Sequence, residues 1–149
     1  VKAARPWRRW RDDDGSTMPL TIFFGALCLA VILLVVSATS LYLERKRLFT
    51  LADGAALAGA EAFGLDVVSL TARGYRPTLS TPDVANAVDA YLQQAPNGFD
   101  ALRVERAETV DGRSATVSLS AHWRPPVLSV LMPDGLRLEV TAVARSVFG

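Results

Sequence analysis

The feature that most constrains this chain is a long run without charge: from Gly15 to Leu43 no Asp, Glu, Lys or Arg occurs. Within it, Leu20–Val36 (LTIFFGALCLAVILLVV) carries Thr21 as its one ordinary polar side chain. A soluble domain cut from 149 residues has no use for so apolar a stretch. A helix rising about 1.5 Å per residue covers on the order of 36 Å from Leu20 to Leu43, enough to cross a hydrocarbon core of about 30 Å with some tilt. Lipid offers backbone N–H and C=O groups no water, so the segment has to be helical despite its β-branched Ile22, Val31, Ile32, Val35 and Val36. One transmembrane helix is predicted.

The flanks set its direction. Lys2, Arg5, Arg8, Arg9 and Arg11 precede the run, and Arg45, Lys46 and Arg47 follow it. The excess of cations on the first side predicts a cytoplasmic N-terminus and an extracytoplasmic remainder. Trp7 and Trp10 suit an interfacial belt on the inner side and Tyr42 one on the outer. A secretory signal is the competing interpretation, since Val36-Ser37-Ala38 imitates a small-residue cleavage site. Signal h-regions span about 7 to 15 residues, shorter than this run, so a retained single-pass anchor is expected.

Composition narrows what lies outside the membrane. With 50% hydrophobic and 21% charged residues, the chain is not wholly disordered. A net charge of +1 is too balanced for a general nucleic-acid binder. Cys28 is the single cysteine and His122 the single histidine, which excludes an intrachain disulfide, leaves Cys28 no Cys or nearby His with which to build a zinc site, and argues against most metal and triad chemistry. No cofactor, metal or small-molecule substrate is expected.

Leu41–Phe63 predicts further helix, continuous with the membrane segment: proline is absent, and Leu41, Leu48, Leu51, Ala55 and Ala58 keep an apolar stripe. Ala52, Ala56 and Ala60 recur every fourth residue, beside Ala55 and Gly59, forming a face that lets another backbone approach closely. Its neighbour is either the chain's own outer domain or a helix of another subunit. Gly54 opposes an unbroken helix by about 1 kcal/mol relative to alanine. Farther on, Thr81-Pro82-Asp83 offers an N-cap, a proline at the first helical position and an early carboxylate. A second helix follows, with Val84, Val88, Tyr91 and Leu92 on one face, until Pro96-Asn97-Gly98 stops it.

Beyond Gly98 the period changes to two. Leu102 and Val104, then Val117, Leu119, Ala121 and Trp123, then Leu136, Leu138, Val140, Ala142 and Ala144 alternate with polar or smaller residues. Asp111-Gly112 signals a tight turn between the first two strands. Pro125-Pro126 and Pro133-Asp134-Gly135 punctuate a longer connection to the third. The fold class is α+β: a long N-terminal membrane-spanning helix, then a small domain with one further helix and a three-stranded antiparallel sheet. The organisation expected is a basic cytoplasmic leader over 1–14, a transmembrane helix continuing into an amphipathic one over 15–63, and an extracytoplasmic domain over 64–149.

Polar residues do not converge on a catalytic set. His122 alternates outward beside Ser118 and Ser120 and is expected to be a surface histidine. Asp53 and Glu61 lie near one face of the membrane-proximal helix, and Asp53 is expected to be a helix-surface or subunit-pairing residue. Gly54 and Gly59 lack the Lys-Ser/Thr ending of a phosphate loop. Arg45–Arg47 could touch anionic headgroups, a contact of about 1 kcal/mol per charge, and a topogenic role accounts for them equally. Asp12–Asp14 read as a solvated border. The chain is not expected to be an enzyme.

The ordered run GSTMPLTIFFGALCLAVILLVVSATSLYLERKRLFTLADGAALAGA resembles the N-terminal segment of TadE/TadG-like proteins of the Tad (Flp) pilus assembly system. There an apolar segment leads into a tyrosine, a basic cluster, a leucine and an alanine-rich AD-AALAGA ending. The counterparts here are Tyr42, Arg45–Arg47, Leu48 and Ala52–Ala60. The resemblance implies a membrane-anchored structural or accessory component of a pilus or secretion apparatus, in outline pilin-like, with other apparatus proteins and the bilayer as partners. Processed members carry a glycine before the cleavage point and a glutamate five residues later. Here Gly15 and Ser16 are the possible processing site, but Leu20 stands where the glutamate would be. In the pilin family that carboxylate pairs with a neighbouring N-terminal amine during assembly, and unpaired in lipid it would cost several kcal/mol. Leucine removes both cost and pairing, which makes the segment closer to an uncleaved, TadG-type anchor than to a processed minor pilin. An unrelated membrane-tethered envelope binding module is the other alternative.

Overall fold

The computed structural model describes residues 17–62, 78–125 and 134–145. In chain order these form helix α1 (Thr17–Ala60), helix α2 (Thr81–Gln94), and strands β1 (Asp100–Glu108), β2 (Ser114–Trp123) and β3 (Leu136–Arg145). Between Val35 and Val36 the chain divides into two compact units, with α1 contributing residues to both.

In the first unit, the helical residues from Thr17 to Val35 leave nearly every side chain uncovered, including Phe23 at 61% and Leu34 at 69% exposure. Phe23 and Phe24 meet edge to face with ring centroids 5.7 Å apart. The Thr21 hydroxyl donates to the carbonyl of Thr17 at 3.0 Å, so the one polar side chain of the apolar run is satisfied by its own helix. Among the described residues, α1 is the helix long and apolar enough to cross a membrane. An exposed apolar surface of this extent is untenable in water and ordinary in lipid.

The second unit is a helix-on-sheet core. The sheet has the order β1-β2-β3, antiparallel throughout. Opposite pairs such as Val117↔Ala142 and Leu119↔Val140 put the apolar alternate residues of β2 and β3 on one face. That face joins Leu48, Leu51, Ala52, Ala55, Ala56 and Ala60 of α1 and Val84 and Val88 of α2 in one buried cluster. The helix stays unbroken through Gly54 and ends at Ala60, short of the Phe63 that the apolar pattern suggested; Phe63 lies outside the described residues.

Small residues set how closely the helices and sheet approach. A Cβ on Gly59 would stand 3.1 Å from Val84 Cγ1, 3.2 Å from Ala115 Cβ and 3.4 Å from Val88 Cγ2. A Cβ on Gly54 would collide with the Tyr91 hydroxyl. The helix-propensity cost of these two glycines is therefore offset by the packing they allow.

Helix α2 starts one residue earlier than its sequence signal indicated. Ser80, not Thr81, is the cap: its Oγ accepts the Asp83 N–H at 3.3 Å and donates to Asp83 Oδ2 at 2.5 Å. Thr81 instead exchanges long 3.5 Å hydrogen bonds with the backbone of Thr109, tying the start of α2 to the β1–β2 turn. At the other end Ala95, preceding Pro96, is extended, and Asn97 Nδ2 donates to the carbonyls of Leu92 and Ala95.

Two irregularities interrupt the strict alternation expected of β1. Its register with β2 shifts between Asp100 and Arg103 and again between Val104 and Arg106, and Ala101 takes a positive φ of 50°. Leu102 and Ala107 pack against the core, while Val104 is 38% exposed on this edge strand. The β1–β2 turn forms as Asp111-Gly112 indicated, with Gly112 at φ 67°. The Asp111 carboxylate accepts the backbone N–H groups of Arg113 at 2.9 Å and Ser114 at 2.6 Å, and the Ser114 hydroxyl at 2.9 Å. These bonds, led by the Arg113 N–H, hold its pKa down at about 2.

Candidate functional site

The small-residue face lies inside the second unit. Ala52, Ala56 and Ala60 are each fully buried within the single chain, so their neighbour is the chain's own α2 and sheet. Asp53 on α1 and Glu61 just beyond its end are exposed. Gly15 and Ser16 lie outside the described residues. Cys28 is exposed on the apolar part of α1. Among the described residues no group of three or more His, Cys, Asp or Glu is placed to hold a metal ion.

On the outer face of the sheet His122 is exposed, as its alternation indicated, but Ser118 and Ser120 beside it are buried, at 6% and 3% exposure. Polar side chains of the two edge strands bond to them. The Ser120 hydroxyl donates to Glu105 Oε1 at 2.6 Å, and Arg137 Nη2 reaches the same oxygen at 2.8 Å. Ser118 and Thr141 share a 2.8 Å hydroxyl–hydroxyl bond. The Ser120 hydroxyl is the main cause that lowers the pKa of Glu105; desolvation works the other way, and the Arg137 and Arg103 charges add to the lowering. This row satisfies its own polar groups and offers no free nucleophile–base pair, which makes it a clasp across the three strands.

A groove of about 570 Å³ lies where the second unit's part of α1 faces the end of α2 and the loop into β1. Lys46, Arg47 and Thr50 form one wall; Tyr91, Asn97 and Phe99 contribute to the other. Each is placed by a local cause. The α-helical period brings Lys46, Arg47 and Thr50 to one side of α1. Gly54 leaves room for the Tyr91 ring, and the bonds of Asn97 to Leu92 and Ala95 fix the turn that carries Phe99. Glu44 stands 3.8 Å from Arg47, so the lining holds two cations against one carboxylate. The Thr50 hydroxyl donates to the Lys46 carbonyl at 3.0 Å. Sequence patterns singled out Arg45–Arg47 but not the groove. The signal for it lay in two separate places, the Tyr91 that shares the Val84–Val88 face and the Pro-Asn-Gly stop, and only folding brings them opposite Lys46.

Compared with known proteins, residues 15–62 match the family described as "Putative Flp pilus-assembly TadE/G-like". The matched segment is thus TadE/TadG-like and supports a component of a Tad system; it does not separate the TadE type from the TadG type. It includes the apolar half of α1, the basic cluster and the small-residue face, and ends before α2. No curated protein and no solved structure matches the chain.

Proposed function

We propose that this protein is a single-pass, membrane-anchored structural or accessory component of a Tad/Flp-type pilus assembly or secretion apparatus, of the TadG-like kind, and not an enzyme. The observation that carries the proposal is the ordered segment 15–62: an exposed apolar helix, a basic cluster and a buried alanine face follow one another on one continuous helix and match the pilus-assembly family. The apolar part serves as the anchor in the cytoplasmic membrane. The basic residues ahead of Gly15 keep the N-terminus inside, so that the helix-on-sheet unit stands outside and meets other apparatus proteins there.

Leucine at position 20 supports retention of the leader. Without a carboxylate at that depth, filament entry by amine pairing has no group to use, and the chain remains in the bilayer. Three measurements test the reading. A deletion strain should lose surface filaments or the associated secretion; unaltered piliation would sink the assembly role. Cysteines introduced at Ala4 and Ser114 should be, respectively, shielded from and reactive to an impermeant reagent in intact cells, and the opposite pattern would reverse the orientation. Mass spectrometry of the native protein should show residues before Gly15 still attached. A mature N-terminus at Ser16 would favour the minor-pilin role instead, and a soluble product beginning after Ala38 would favour signal cleavage.

A further inference from the structure

We propose that the groove between Lys46 and Phe99 is a binding site for the headgroup of an anionic phospholipid. The assignment rests on the membrane anchoring proposed above. It begins from where the groove lies in the sequence: Leu43 closes the uncharged run, and of the four charged residues that follow it directly, Glu44, Lys46 and Arg47 enter the groove wall. A helix that carries Leu20–Leu43 through hydrocarbon delivers the next turn to the depth of phosphate groups.

The chemistry of the lining suits a phosphodiester with acyl chains attached. Lys46 makes no ion pair among the described residues, and Arg47 has only the long 3.8 Å contact with Glu44, so both can turn to an anion. Tyr91 lines the opposite wall, with its hydroxyl set against Gly54. Leu43, Leu51 and Phe99 supply apolar surface for the glycerol and the first methylenes. A free inorganic anion would leave that surface unused, and an acidic peptide would have to compete with lipid already present at high local concentration. Arg45, between Glu44 and Lys46 in sequence, does not line the groove and serves as an internal control for general membrane electrostatics.

The test uses the full chain in detergent micelles supplemented with phosphatidylglycerol or phosphatidylcholine, with retained lipid counted by native mass spectrometry. Wild type should retain phosphatidylglycerol preferentially. Lys46→Gln and Arg47→Gln should each lower that retention about fivefold, the equivalent of about 1 kcal/mol per cation near an anionic surface. Arg45→Gln should leave it unchanged, and Thr50→Trp, which fills the groove without altering charge, should abolish it. Circular dichroism identifies any variant that has lost its fold; the contrast between Arg45→Gln and Lys46→Gln then decides alone. Equal losses in those two variants, equal retention of the two lipids, or displacement by millimolar inorganic phosphate or by an acidic peptide would each overturn the assignment. Reconstitution and carbonate extraction test the anchor separately: protein absent from the bilayer fraction overturns both readings, whereas inserted protein that fails the lipid contrast overturns the groove assignment alone.

Discussion

Gly59→Ala sets two opposing effects against each other at a position whose surroundings are known in detail. Alanine would gain about 0.8–1.0 kcal/mol of helix propensity in the interior of α1. Its Cβ, however, would stand 3.1 Å from Val84 Cγ1, 3.2 Å from Ala115 Cβ and 3.4 Å from Val88 Cγ2. None of these neighbours can move aside cheaply. Valine in a helix is held in one strongly preferred χ1 rotamer, and the Cβ of Ala115 moves only with the backbone of β2. Overpacking of this kind costs about 1–3 kcal/mol, so the packing term exceeds the propensity term and the net effect is a destabilisation of about 1 kcal/mol. For a domain of this size that lowers Tm by about 4–8 °C. Thermal unfolding of the full chain in detergent micelles, followed by near-ultraviolet circular dichroism, measures it. Gly25→Ala is the control, because nothing lies within 4 Å of its would-be Cβ and no packing cost is expected. A rise in Tm for Gly59→Ala would show that the helix and sheet can separate freely at this point, and the close-approach account of the small-residue face would fail.

The other predictions concern the same unit. Ala56→Leu, at a fully buried position, should destabilise by about 1–3 kcal/mol, whereas Leu57→Ala, at a 51% exposed one, should change stability little; urea unfolding of both variants checks the contrast. Ser80→Ala removes the cap of α2 and should cost about 1 kcal/mol in the same assay, while Thr81→Ala should cost less. Asp111 has a pKa near 2, below the value of about 3.9 for an unfolded aspartate, so its contribution to stability is complete above about pH 4 and vanishes as the pH falls through about 2. The stability difference between wild type and Asp111→Asn should therefore shrink between pH 6 and pH 2; a difference that stayed constant would assign the turn to geometry alone.

Legibility in the sequence followed the range of the forces involved. The apolar half of α1 could be read from the missing charges between Gly15 and Leu43, because lipid would impose one backbone solution on any such run. Strands β2 and β3 could be read because the pleat has a period of two and one face is buried. The irregularities of β1 could not: a bulge is a mismatch between two strands, and nothing at Ala101 or Glu105 alone announces it. The cap of α2 was missed by one residue because Ser80 and Thr81 have the same donor and acceptor chemistry, and the tie from Thr81 to Thr109 decides between them. Burial of Ser118 and Ser120 was hidden for a related reason. Their partners, Thr141 for Ser118 and the Glu105–Arg137 pair for Ser120, lie on the two neighbouring strands, distant in sequence and polar enough to pass for solvated surface.

The order in which the buried cluster is assembled has a consequence during synthesis. The apolar and small residues of α1 emerge from the ribosome early, yet the cluster they join includes Val140 and Ala142 on β3, the last strand of the sheet. Between Ala60 and Arg145 roughly 85 residues must be added, which at about 5–20 residues per second takes on the order of 4–17 s. Throughout that interval the segment from Leu48 to Ala60 has been made without its sheet. A membrane-delivered nascent chain therefore presents an uncovered apolar helix face to whatever receives it, and the time for which it does so is set by the speed of translation rather than by the folding rate of the domain.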